Sequence, residues 1–103
     1  MKHIKVNAKD YALFDYTPYF DINTNPIPRP KKVKYDLGHV VYIKEENAIG
    51  VVLGCIDHES EDLRTDMSGM VCFDQIEHAT KKHFKIKDVR VTDKLLKELG
   101  FIK

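Results

Sequence analysis

The chain has 103 residues, 43% hydrophobic and 32% charged, with 17 Lys plus Arg against 16 Asp plus Glu. Such values indicate one soluble globular domain with a single modest core, and they exclude a disordered chain. A net charge of +1 excludes a protein held on DNA by bulk charge alone.

Residues 1–6 alternate polar and apolar where a signal peptide needs an apolar stretch. No apolar run approaches the roughly 18 residues that span a bilayer, so a cytoplasmic location without membrane association is expected. The run His3-Ile4-Lys5-Val6-Asn7 predicts a short edge strand. An aromatic cluster follows, made of Tyr11, Phe14, Tyr16, Tyr19 and Phe20. Next come Pro26, Pro28 and Pro30 at alternate positions. They remove backbone donors and hold the chain extended, which is incompatible with a helix or a central strand. Residues 1–33 therefore read as an extended arm whose rings either fold back on the body or dock on a partner.

From residue 34 the pattern turns to strands. A turn at 34–38 leads into a β-branched and aromatic strand over 39–43. A longer strand is predicted over 48–56, with Gly50 and Gly54 suited to a bulge or sharp coiling. Short strands over 63–66 and 70–73 flank a tight turn at Met67-Ser68-Gly69. Residues 74–77 suit one turn of 3-10 helix capped by Asp74, and 78–80 a closing strand. The basic stretch 81–87 alternates from Phe84 onward, and 89–91 predict one more short strand. Thr92 or Asp93 then caps a helix over 94–99, ended by Gly100 and striped by Leu95, Leu96 and Leu99.

Five short strands with a one-turn helix before the last resemble the SH3-like small barrels, the class of SH3, Tudor and KOW-type domains. The resemblance rests on Leu37-Gly38-His39-Val40-Val41-Tyr42-Ile43, on Ile49-Gly50-Val51-Val52, and on the turn at 74–77. It covers residues 34–80 and implies a fold class rather than one activity. The expected architecture is thus mainly β: an SH3-like five-stranded barrel at 34–80, an N-terminal arm at 1–33, and a basic tail with a short helix at 81–103. The chain departs from the class pattern at His39, where many such domains place an acid. It has no Trp for a proline-rich-ligand face, and no methyl-lysine cage is identifiable.

Charge is segregated along the chain. Residues 45–66 hold seven acids and only Arg64 as a base, while both flanks are basic. Two cysteines, Cys55 and Cys72, sit among apolar neighbours and read as buried thiols. With His58 and His78 they invite a zinc reading, but residues three apart in a regular strand point to opposite faces. No metal and no cofactor are therefore expected. No serine elbow, phosphate loop or HExxH pattern is present, and a Cys–His nucleophile lacks an orienting third group. The chain is accordingly expected not to be an enzyme, and no small-molecule substrate is inferred.

Two binding readings remain. The leading one is a non-enzymatic interaction module for a protein partner or for self-association, of the kind found in phage or mobile-element accessories, inhibitors and assembly subunits. Its contact residues would be Tyr11, Phe14, Tyr16, Tyr19, Phe20, Pro28 and Arg29. The alternative is nucleic-acid binding, with charge for phosphates and rings for bases. Lys31, Lys32, Lys34 and Tyr35 would join Lys81, Lys82, His83, Lys85 and Lys87 in that role.

Overall fold

The computed structural model describes residues 3–11, 19–21, 23, 25–57 and 59–102, with Phe20 and Cys55 described by backbone alone. Phe14, Tyr16 and His58 lie outside the described residues. The β-branched and aromatic runs form strands β1 (Tyr19–Phe20), β2 (Val40–Ile43), β3 (Ala48–Asp57), β4 (Asp62–Thr65), β5 (Met70–Cys72) and β6 (Ile76–His78). One helix, α1 (Asp93–Glu98), follows. The strands make one sheet in the order β5-β4-β3-β2-β6, antiparallel throughout this path, and β1 pairs with β3 in parallel. No helix of the described residues is long and apolar enough to cross a membrane.

The fold is mainly β as expected, but the sheet is open, and the SH3-like five-stranded barrel expected for 34–80 does not close. Strands β5 and β6 are its two ends, and β6 spends its ladder on β2, pairing His78 with Val41 and Ile76 with Ile43. Each of these end strands has only three residues, too little ladder to close a barrel against a turn of opposite direction. The 3-10 turn (Phe73–Gln75) and β6 begin one and two residues earlier than the sequence pattern predicts.

Strand β3 is the spine. Its first half, from Ala48 to Val51, pairs with β2, and its second half pairs with β4. Register shifts on either side of Gly54, whose φ is 149°, bend the strand between the two partners. Alternate residues of β2 and β3 enter two separate cores. Val41, Ile43, Val52 and Ile56 join Tyr19, Tyr35, Leu63, Val71, Phe73 and Ile76 on one face. Val40, Ile49, Val51 and Leu53 join Ala79 and Leu95 on the other. Both faces of β3 are therefore covered, which is why its sequence reads as a continuous apolar run rather than an alternation.

The extensions supply the cover. Ile4, Val6, Tyr11, Phe84, Val89, Val91 and Leu99 pack on the second core, and Ile27 and Val33 on the first. Residues 3–6 also continue the line of β6 along β2. Val40 N–H donates to the Ile4 carbonyl at 3.0 Å, Val6 N–H to the Gly38 carbonyl at 2.8 Å, and Ala79 N–H to the Val40 carbonyl at 2.9 Å. Gly38 sits at φ 85°, and a Cβ there would overlap the Val6 carbonyl oxygen, so the junction demands glycine. Residues 83–85 form a 3-10 turn instead of extending the basic alternation, and Arg90 bridges Ala48 in parallel.

Candidate functional site: a histidine cluster beside a basic ridge

Period-two alternation sets the site. Val41 faces the first core, so His39, two residues earlier in the extended chain that leads into β2, faces the same side. His78 lies directly across from Val41 on β6 and shares that face. Lys5 bridges His39, which places His3 on this side too, where the N-terminal segment meets the end of β6. The three imidazoles converge there, and one ring nitrogen from each lies within 4.8 Å of the others. His3 stacks on His78 at 3.6 Å between centroids with 9° between planes, and His39 meets His78 edge-on at 4.9 Å. The buried ring of Tyr35 closes the floor, 4.6 Å from His78.

Hydrogen bonds assign the protons. His78 Nε2 lies 2.9 Å from the Lys34 carbonyl, which can only accept, so this nitrogen donates. The neutral ring then carries a bare lone pair on Nδ1. Among the described residues, His78 Nδ1 is the one buried side-chain nitrogen or oxygen without a hydrogen-bond partner. His39 Nδ1 accepts the Asp36 N–H at 2.8 Å, which leaves its own proton on Nε2. Burial, with the positive fields of His78 and Lys5, pushes His39 down to about 4, and burial also lowers His78. Both rings are neutral at pH 7.

Asp36 anchors the adjoining network. Its carboxylate accepts from the Tyr19 hydroxyl and from Leu37 N–H at 2.8 Å, and pairs with Arg29 at 3.1 Å and Lys5 at 3.5 Å. Burial alone would raise this carboxyl. The Tyr19, Leu37, Arg29 and Lys5 contacts outweigh it and hold Asp36 at about 2. Burial and the same carboxylate push the Tyr19 phenol up to about 12.

These contacts redistribute the residues expected to bind a partner. Tyr19 is 4% exposed and belongs to the core, so it is no docking ring. Phe20 contributes backbone to β1, Pro28 is exposed, and Arg29 is exposed but spends its guanidinium on Asp36. Tyr11 is half-buried and lines a cleft with Leu53, Arg64, Thr65, Asp66 and Met67, while its hydroxyl donates to Glu98 at 2.7 Å.

The nucleic-acid candidates divide likewise. Tyr35 is buried, with its hydroxyl on the Ile76 carbonyl, so it cannot stack on a base. The His83 ring stacks on Tyr42 and bonds Glu77 and Thr80. Lys31, Lys32, Lys34, Lys81, Lys82, Lys85 and Lys87 are exposed. The His78–Lys34 bond joins the backbone at residue 34 to the ring of His78, three residues before Lys81 in the chain.

Of the thiol–imidazole set, the two members whose side chains are described, Cys72 and His78, do not meet. Cys72 lies on β5 and His78 on β6, at opposite ends of the sheet, and Cys72 is exposed rather than buried because β5 turns Val71 inward. Sequence reasoning missed the three-histidine cluster because its members are far apart in the chain and share no local spacing. The one available signal was His3 and His39, each in step with an alternating strand, beside an expected closing strand containing His78. No protein-family model, curated protein or solved structure matches this chain.

Proposed function

We propose that this chain is a non-enzymatic interaction module on an SH3-like plan, and that it engages nucleic acid through its lysine ridge. The plan is supported by strand order: four consecutive antiparallel strands, a 3-10 turn, and a last strand returning to the first of them. The binding reading is carried by one observation, the His78–Lys34 bond, which joins the segment carrying Lys31, Lys32 and Lys34 to the strand that runs on to Lys81 and Lys82, all five of them exposed. Ammonium groups brought together in this way would attract phosphate even in a molecule whose net charge is near zero. The exposed His3 ring at the edge of this ridge offers a stacking surface.

Anisotropy of a labelled single-stranded oligonucleotide, titrated between about 50 and about 200 mM salt, tests this reading. Five phosphate contacts correspond to a log–log salt slope of about −3.5, and Lys34→Glu with Lys81→Glu should remove most of the binding. Absence of binding at the lower salt refutes it.

The protein-partner reading keeps a specific observation of its own. Strand β5 is an end strand whose Met70 is 57% exposed, and such an edge accepts an added strand. Self-association there predicts a concentration-dependent dimer by sedimentation that Met70→Lys dissolves. A monomer at all concentrations removes the second copy as the occupant.

A further inference from the structure

We infer that His3, His39 and His78 form a binding site for a divalent first-row metal ion such as Zn²⁺, with His78 Nδ1 as its fixed ligand. The inference shares the His78–Lys34 contact and His3 with the nucleic-acid reading but does not need the lysines.

The argument starts from the orphaned nitrogen. A buried lone pair with no partner is uncommon and calls for an explanation. Here the other ring nitrogen is held by a backbone carbonyl, at 2.9 Å from the Lys34 oxygen. That is the outer contact by which metal-binding histidines are oriented, and it turns the opposite lone pair into the site. The Lys34 carbonyl is itself fixed, since the buried Tyr35 ring follows it in the chain.

Two further imidazoles stand within reach. Ligands about 2.0–2.1 Å from a tetrahedral ion lie roughly 3.3 Å from each other. One ring nitrogen from each falls within 4.8 Å of the others, so side-chain rotation alone, without movement of the strands, brings them toward that spacing. His3 lies parallel on His78 and must splay, because an imidazole donates in its own plane. It is the exposed member, and the turn costs it the stack on His78. His39 donates after its ring turns over and releases the Asp36 N–H, at the cost of one backbone hydrogen bond. Water would complete the tetrahedron on the solvent side. Three nitrogens without sulfur or carboxylate suit zinc, nickel, cobalt or copper rather than magnesium or calcium.

The ion would act as a clasp. It would tie residue 3 to β2 and β6 at the place where the N-terminal segment takes over the edge of β2. Binding to the folded chain alone raises its stability by mass action.

The test uses the full chain, free of any affinity tag and stripped with EDTA, titrated with ZnCl₂ by calorimetry and followed by thermal melting. One equivalent should bind, and excess zinc should raise Tm. His3→Gln, at an exposed position, should weaken binding by about tenfold or more and abolish the rise. His78→Gln should do the same if it folds, and the His3 variant decides alone if it does not. Cys72→Ser and His83→Gln should bind as the parent does. The inference is overturned if no binding is seen with Zn²⁺, Co²⁺ or Ni²⁺, if His3→Gln binds unchanged, or if Cys72→Ser loses the ion.

Discussion

Asp36 shows how one side chain can connect three parts of a small fold. It receives the Tyr19 hydroxyl from β1, Arg29 from within the proline segment, and Lys5 from the N-terminal segment, and its own N–H points at His39. Its folded carboxyl sits at about 2, below the roughly 3.9 of an unfolded chain. A depressed acid binds fewer protons when folded, so its stabilisation is complete above about pH 4 and is lost as pH falls through 2. The contribution is about 2 kcal/mol. Urea titrations in EDTA should therefore show stability falling steeply from about pH 4 to 2. Asp36→Asn should be less stable at pH 7 by a comparable amount and should flatten that limb. An unchanged acid limb in the variant would assign the loss to other groups.

Among the elements, α1 is the one least able to exist alone. Six residues form barely more than a turn and a half, far short of a helix stable by itself. Its cap and one buried side chain are its main ties, beside the Tyr11 hydroxyl on Glu98 and the partly buried Leu99. Thr92 accepts the Leu95 N–H, and Leu95 is fully buried beside Val40, Ile49 and Val51. Thr92→Ala should cost about 1 kcal/mol and Leu95→Ala about 2–5 kcal/mol, read from the shift of the denaturation midpoint at constant m. Equal costs would mean that the helix is held by its cap and not by packing.

This helix was legible in the sequence because cap, apolar stripe and terminal glycine are all local signals. Strands β2 to β5 were legible for the same reason, through β-branched runs broken by polar turns. Strand β1 was not. Its parallel pairing of Tyr19 with Ile56 links distant residues, and the proline spacing nearby indicated an extended arm without saying whether it folds back on the body or docks on a partner. The two-sided burial of β3 was hidden as well, since a continuous apolar run does not say what covers its second face. The histidine cluster needed all of these pairings at once, and no local spacing encodes them.

At the scale of the whole molecule, those covers decide where the folding unit ends. The strands over 34–80 look self-sufficient in sequence, and on that reading removal of residues 1–30 leaves them folded. The packing argues otherwise. Without residues 1–30, the first core loses Tyr19 and Ile27 and the second loses Ile4, Val6 and Tyr11. Asp36 loses all three of its side-chain partners, and the edge of β2 at Val40 loses its hydrogen bond to Ile4. A buried apolar side chain contributes roughly 1.5–3 kcal/mol, while a domain of this size has a net stability of about 5–15 kcal/mol. Tyr19 is buried and Ile4, Val6, Tyr11 and Ile27 partly so, and their loss together with the Asp36 contacts is comparable to that margin. A chain starting at residue 31 should therefore melt without a cooperative transition and give collapsed amide dispersion by NMR, whereas the full chain melts cooperatively. A truncated protein with a sigmoidal melt near that of the parent would show instead that the strands over 34–80 form a core of their own, with residues 1–30 a removable layer.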